Sequence, residues 1–293
     1  MPSAGLKGPR HPDNDGSYRF ALPRAPRSIA LFLSLGTAVT GAAGSFGLDT
    51  AARAQHLHPM AQAGSAAGHA EGGEGGEGGE GGEAGHSQAA SSDTEVLVVL
   101  AQMQGHLLVA QELLSSGNAP GAEPHVGHPV DELYGSLEAV IASGRLQPFR
   151  DSLELLRQQV RLAPASAGTA QKLATAQRTL QAATNTVAPA LNAQPALVLE
   201  VVRQLALTAA SEYEAAVADG RIAETIEYQD ARGFLLQSRR LISQAITATP
   251  SAAVSLQPVQ TRLEAMLKAF PSVTPPQRVV LSVSQLRSLA SGI

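Results

Sequence analysis

The chain of 293 residues has no cysteine and no tryptophan, and aromatic residues make up only 3% of it. The absence of cysteine excludes disulfide bonds, thiolate metal sites, covalently attached c-type haem and a cysteine nucleophile. So few aromatic rings argue against a stacking platform for single-stranded nucleic acid. The net charge of −4 argues against a surface that binds a phosphate backbone. We therefore expect no nucleic-acid partner.

Standard enzyme signatures are also missing. The sequence has no P-loop, no dinucleotide-binding glycine motif and no G-x-S-x-G motif. No set of nucleophile, base and orienting residue can be read from it, so an enzyme is disfavoured. Function must then depend on histidines and carboxylates placed on a scaffold.

The N-terminal region has the features of a targeting segment. Basic residues that include Arg19, Arg24 and Arg27 precede an uncharged segment over residues 28–48. The sequence Ala-Arg-Ala at residues 52–54 follows, with small residues at the two positions that a signal peptidase reads. This pattern predicts a signal peptide over residues 1–54 and a periplasmic or secreted protein without membrane contact after cleavage. The alternative is an N-terminal membrane anchor, because the uncharged segment is long enough to span a bilayer.

Residues 55–92 predict a disordered linker rich in histidine, glycine and glutamate. They contain an acidic Glu-Gly-Gly repeat and almost no apolar side chains that could repay the entropy of ordering the chain. Two interpretations stay open: a flexible acidic spacer, which we favour slightly, and a loose metal-collecting tether. The tether interpretation depends on four histidines: His56, His58, His69 and His86.

Residues 93–293 predict an all-α domain. Apolar residues recur at spacings of three and four, good helix formers dominate, and no run of alternating β-branched residues is present. We expect an up-and-down helical bundle whose first helix is capped by Asp93 or Thr94. The expected helices cover about residues 94–116, 130–144, 148–163, 167–188, 195–220, 221–247, 252–269 and 277–290.

Similar segments at the ends of the first and fifth predicted helices suggest an internal duplication. Residues 110–117 and 213–220 both end in glycine, and each is followed by a short Ala-Glu segment. Two tandem four-helix units would account for this similarity.

Polar residues on apolar helix faces are the main functional signal. The helical spacing places His106, Glu212, Glu227 and Asp230 on faces that point toward the core. Buried carboxylates are costly unless they are paired or bind a metal, and helical bundles build metal sites from such residues on facing helices.

A further histidine pair precedes Pro129. His125 and His128 lie three residues apart, and Glu132 follows four residues later, so one helical turn would place all three on one side. If the hairpin of the first two helices packs on that of the fifth and sixth, the candidates converge. The predicted metal ligands are His106, His125, His128, Glu132, Glu212, Glu227 and Asp230.

Histidine and carboxylate ligands suit a divalent or ferric transition-metal ion such as iron, copper or zinc. A b-type haem with Met103 or His106 as one axial ligand is less favoured, because few aromatic residues surround the candidate site. The alternative without metal is that each polar side chain is satisfied separately by a helix carbonyl, a helix cap or an arginine.

The segment from Gly127 to Asp131, Gly-His-Pro-Val-Asp, resembles a motif of the imelysin-like proteins of bacterial iron uptake. Those proteins carry Gly-x-His-x-x-Glu in a periplasmic helical bundle implicated in iron binding. In this sequence Gly127 is adjacent to His128, and Asp131 stands where the glutamate would be. The resemblance implies an iron-related role for His128 and Asp131 only.

Two functions follow as expectations. The first is an exported helical-bundle protein that binds iron, copper or zinc through His and carboxylate side chains on facing helices. The second is a structural or protein-interaction module of the cell envelope without a metal. The expected partners are a metal ion and an envelope protein.

Overall fold

The computed structural model describes residues 89–293, whose regular structure is almost entirely helical. The prediction of an all-α helical bundle is confirmed. The predicted signal peptide and most of the predicted linker lie outside the described residues. Nine α-helices lie within residues 89–293: α1 (Asp93–Ser115), α2 (Ala119–His128), α3 (Glu138–Ala142), α4 (Arg150–Leu162), α5 (Ala167–Val187), α6 (Pro195–Ala216), α7 (Thr225–Ala248), α8 (Ala253–Leu267) and α9 (Val283–Ala290).

Helix α1 is the central helix. Its N-terminus has a capping box, in which the Ser92 side chain accepts a hydrogen bond from the Glu95 N–H and the Glu95 carboxylate accepts one from the Ser92 N–H. The cap is thus one residue earlier than predicted. By length and composition α1 could cross a membrane, but 83% of its most apolar stretch is buried inside the protein. Packing on several neighbouring helices accounts for its apolar character.

Two hydrophobic cores meet at α1. Leu97 and Ala101 belong to a core formed with α6, α7, α8 and α9, whereas Leu100 and Met103 belong to a core formed with α2, α4 and α5. Because both cores use α1, the two halves of the bundle share a helix and are not separate units. This sharing brings side chains of α2 and α7 to the same helix.

Glycines allow α1 and α7 to cross at van der Waals contact of their backbones. A Cβ added to Gly233 would lie 2.6 Å from the Gly105 carbonyl oxygen, and one added to Gly105 would lie 3.0 Å from the Gly233 carbonyl oxygen. No side chain fits at either position without moving a helix. The crossing lies one residue from His106 and three from Asp230, so it sets the separation of these two side chains.

The second helix begins earlier than predicted. α2 starts after Asn118, whose side chain accepts a hydrogen bond from the Gly121 N–H at 3.0 Å. A π-helical turn, Pro129–Leu133, and a 3-10 turn, Tyr134–Leu137, then lead into α3. Pro129 has no N–H to donate to the carbonyl four residues earlier, but the chain continues as a π-helical turn and not as a loop. His125 and His128 therefore lie inside a helix and not before one.

A short hairpin replaces the predicted end of the fifth helix. β1 (Val217–Ala218) pairs antiparallel with β2 (Arg221–Ile222). The connecting residues Asp219 and Gly220 have φ of 51° and 70°, which the Asp-Gly pair supports in a two-residue hairpin turn. This turn sets the direction in which α7 leaves α6.

The segment before α9 is not helical, although a helix was predicted from residue 277. Tyrosine hydroxyls hold this segment against the bundle: Tyr213 donates to the Leu281 carbonyl at 2.7 Å, and Tyr228 donates to the Ser272 carbonyl at 2.9 Å. Both tyrosines thus have structural roles away from the polar cluster.

Candidate metal centre

Four side chains from three helices form a buried polar cluster. His106 lies on α1, His125 and His128 lie on α2, and Asp230 lies on α7. One potential ligand atom from each lies within 4.8 Å of all the others. The side chains of His106 and His125 are 0% exposed, that of Asp230 is 4% exposed and that of His128 is 19% exposed. Among residues 89–293, this cluster brings together four of the seven predicted ligands.

The Asp230 carboxylate lies at the middle of the cluster. Its Oδ1 is 2.9 Å from His106 Nδ1 and 2.8 Å from His125 Nδ1, and its Oδ2 is 3.4 Å from His128 Nδ1. Neighbouring donors around one small ion with bonds of about 2.1 Å lie roughly 3.4 Å apart. The three contacts to Asp230 are at or below this spacing, and the four donor atoms all lie within 4.8 Å of one another, which makes the group small enough to hold a single ion.

A chain of hydrogen bonds determines which ring nitrogen of His125 faces a hydrogen-bond acceptor. The Gln229 Nε2 donates to the Val273 carbonyl at 3.0 Å, so the Gln229 Oε1 faces His125 Nε2, at 2.8 Å. That nitrogen must carry a proton in order to donate to an amide oxygen. In the neutral imidazole, Nδ1 then has no proton, and its lone pair points at the Asp230 carboxylate. Two acceptors 2.8 Å apart require a proton or a metal ion between them.

The other helix-α2 histidine also has a polar group behind it. His128 Nε2 lies 3.5 Å from Glu132 Oε1, while His128 Nδ1 faces Asp230. A carboxylate or amide oxygen behind a ligating imidazole orients the ring and raises the basicity of the coordinating nitrogen. Glu132 and Gln229 are placed for this role toward His128 and His125 respectively.

The electrostatics of the cluster favour a cation. Burial by itself would raise the pKa of Asp230, but the charges and hydrogen bonds of His106 and His125 hold it well below its ordinary value of 3.8. Burial by itself would lower the pKa of His128, but the hydrogen bond that its ring donates to Asp230 brings it above its ordinary value of 6.5. The carboxylate is therefore ionised and attracts positive charge to the cluster.

No arginine neutralises Asp230 within residues 89–293. The sequence offers four arginines as partners: Arg203, Arg232, Arg239 and Arg240. Three of them are paired elsewhere, Arg203 with Glu200, Arg232 with Glu112 and Arg239 with Glu264. In this part of the chain, the ion-pair partners of Asp230 are the three histidines. The alternative in which an arginine satisfies the buried carboxylate is therefore excluded for these three arginines.

An ion-pair network holds α2 against α4. Arg157 on α4 binds Glu123 before the histidine pair, at 2.9 Å, and Asp131 after it, at 2.7 Å. The guanidinium also lies over Gly127, where an added Cβ would be 3.0 Å from its Nη2. Arg157 therefore anchors both ends of the segment that carries His125 and His128. Asp131, to which the motif resemblance gave an iron-related role, forms this ion pair instead.

Three predicted ligands lie outside the group of four. Glu132 lies behind His128, and Glu227 is half-buried one helical turn before Asp230. Burial and the charges of Glu224 and Asp230 raise the pKa of Glu227, which indicates that it faces the same side of α7 as Asp230. Glu212 is 1% exposed on α6, as its stripe predicts, but it is not one of the four clustered side chains.

Two important residues were missed from the sequence. Gln229 was overlooked because an amide is not a titratable ligand, although it immediately precedes Asp230. Arg157 was overlooked because it lies on a separate amphipathic helix, and its two partners can be identified only once α2 and α4 are packed. A search for polar neighbours of each candidate ligand would have found Gln229.

Comparison with known proteins gives one match. Residues 188–293 match the family described as the iron permease-associated 4-helix bundle domain. No curated protein and no solved structure matches the chain. The match supports a relation to helical bundles of iron uptake in general, and does not support the imelysin-like proteins specifically. It covers α6 to α9, so Asp230 lies within the matched region and the three histidines precede it.

The match corrects the predicted location. The sequence led to the expectation of a periplasmic or secreted protein without membrane contact. That expectation is wrong, because an iron permease-associated domain points to the membrane iron transporters.

Proposed function

We propose that His106, His125, His128 and Asp230 bind one divalent transition-metal ion, with ferrous iron as the physiological ion. The observation that carries this proposal is the contact between His125 Nδ1 and Asp230 Oδ1 at 2.8 Å, while Gln229 requires the proton on the opposite ring nitrogen. A bound metal ion would take the place of a second proton on that ring and would also neutralise the buried carboxylate at the same point.

The choice of iron combines ligand chemistry with the family match. Imidazole and carboxylate together suit iron, zinc, copper and manganese, and the chain has no thiolate that would select softer ions. The matched family is associated with an iron permease, which favours iron among these metals. The residues that hold the ion come from three helices, so binding ties α1, α2 and α7 together and stabilises the folded bundle.

We test the metal centre on the full-length chain by anaerobic titration with ferrous iron and by elemental analysis. A variant with all four linker histidines changed to asparagine (His56, His58, His69 and His86) separates the linker from the bundle. The linker variant should bind one ion per chain as the unmodified protein does, and His128→Ala should bind much more weakly. Binding that is lost in the linker variant and retained in His128→Ala would assign metal binding to the linker and refute the proposal.

The same match suggests a partner. The bundle would hold iron beside an iron permease and exchange the ion with it at the membrane. The measurement is copurification of an iron permease with the full-length chain from detergent-solubilised membranes, with identification by mass spectrometry. Recovery of the chain without any iron permease would contradict this part of the proposal.

A further inference from the structure

The candidate metal centre is most exposed at His128. His106 and His125 have side chains with 0% exposure, and Asp230 has 4%. His128 is the most exposed of the four, at 19%, and Glu132 behind it is 31% exposed. Within residues 89–293, exposure thus increases in one direction, from His106 and His125 through His128 to Glu132. His128 is therefore the most accessible of the four side chains to an ion from solvent.

Carboxylates flank this open side. Glu132 Oε1 lies 3.5 Å from His128 Nε2, and the π-helical turn Pro129–Leu133 places it there. Glu227 lies one turn before Asp230 on α7, and its charge interacts with those of His128, Asp230 and the exposed Glu224. Negative charge from two helices therefore surrounds the one partly exposed ligand.

We infer that Glu132 and Glu227 form the access route by which a divalent cation reaches the buried donors, with His128 as the boundary between outer and inner positions. This inference rests on the proposed function and adds the direction of loading. Carboxylates at the opening of a low-dielectric cleft raise the local cation concentration and the association rate. Glu227 is not one of the four clustered donors, so removing its charge leaves all four donors in place.

The test is stopped-flow binding of Co²⁺ to the full-length linker variant, because the visible absorption of Co²⁺ reports its coordination. The variant Glu227→Gln keeps the side-chain shape and leaves Glu132 in place behind His128. The matched control is Glu264→Gln, which removes the same charge from a carboxylate that is 51% exposed on α8.

The access variant should bind Co²⁺ on the order of tenfold more slowly at low ionic strength, with unchanged stoichiometry and final spectrum. The difference should shrink at high salt, because screening shortens the range of the carboxylate charges. An association rate equal to that of the unmodified protein, or an equal slowing in the control, would overturn the inference. Failure of the proposed function looks different: no stoichiometric Co²⁺ spectrum would form in any of these proteins.

Discussion

Residues 93–187 and residues 188–293 contribute different chemistry to the candidate metal centre. The first region provides all three imidazoles, whereas the second, which matches the iron permease-associated domain, provides a single carboxylate. The first region also contains the π-helical turn, while the second is built from four α-helices, two 3-10 turns and a short hairpin. The comparison shows that the metal centre depends on the contact between the regions and cannot be located from the family match alone.

Removing the only carboxylate of the cluster tests the contribution of the matched region. Loss of a partner behind a ligand typically costs about 10–100-fold in metal affinity, so loss of the ligand itself in Asp230→Asn should cost more than about 100-fold. The measurement is competition with a chelator of known affinity for ferrous iron. Glu264→Gln, an exposed carboxylate of the same region, is the control and should bind normally. Unchanged affinity in Asp230→Asn would show that the imidazoles of the first region suffice.

Separating the two regions at the helix crossing should reduce stability. In Gly233→Ala the new Cβ would lie 2.6 Å from the Gly105 carbonyl oxygen, and such overpacking costs about 1–3 kcal/mol. Chemical denaturation of the apoprotein measures this cost. Gly135→Ala is the control, because its Cβ would meet nothing within 4 Å. Equal stability of the two variants would mean that the crossing adjusts without cost.

Lowering the pH should stabilise the apoprotein through His128 and should weaken metal binding. The raised pKa of His128 stabilises the apoprotein below 6.5, and this stabilisation is lost as pH rises through the raised value. The lowered pKa of Asp230 stabilises it above 3.8, and that stabilisation is lost as pH falls through the lowered value. Metal binding requires unprotonated imidazoles and strengthens with rising pH.

The apoprotein should therefore have a higher melting temperature at pH 6 than at pH 8, whereas the increase produced by ferrous iron should be larger at pH 8. Anaerobic thermal unfolding with and without the metal measures both. A melting temperature of the apoprotein that rises from pH 6 to pH 8 would contradict the assigned role of His128.

Removing the ion pairs that hold α2 against α4, within the first region, should weaken metal binding. Arg157→Gln removes the ion pairs on both sides of the histidine pair and should lower metal affinity about tenfold, as loss of an orienting partner does. Arg161→Gln is the matched control, because Arg161 binds Glu123 without an ion pair to Asp131. Isothermal titration of both variants gives the comparison. A similar loss of metal affinity in both variants would mean that only the ion pairs to Glu123 matter.

The smallest expected effects come from the two capping boxes, one in each region. Ser92→Ala at α1 and Ser282→Ala at α9 each remove a side-chain acceptor at the start of a helix and should cost about 1 kcal/mol. Denaturation curves measure the cost, and metal affinity should stay within about twofold for both. A larger loss of affinity in either variant would show that helix fraying reaches the metal centre.

The regular helices could be predicted well from the sequence, and the irregular segments could not. Helices α4, α5 and α8 lie within a few residues of the prediction, because proline, glycine and helix caps mark their ends. The π turn at Pro129 was missed because proline usually marks a helix start or stop. The Asp219-Gly220 pair did signal a hairpin, but the apolar periodicity around it favoured continuous helix.

The candidate metal centre was predictable as a set of inward-facing residues and not as a geometry. The stripe that contains His106 predicted its burial correctly, and the same reasoning gave Asp230. It could not separate Asp230 from Glu212, which is equally buried on a neighbouring helix. That distinction depends on which helices cross, and here the crossing is decided by two glycines that leave no mark in a hydrophobic pattern.

The two glycines at the crossing of α1 and α7 also limit how the sequence can vary without disturbing the candidate metal centre. Gly105 and Gly233 bring main chain against main chain beside His106 and Asp230, whose Nδ1 and Oδ1 atoms lie 2.9 Å apart. A larger residue at either glycine would push the two helices apart, and with them the backbones that carry two of the four proposed ligands. Two residues without side chains are thus as necessary to the proposed centre as the ligands themselves.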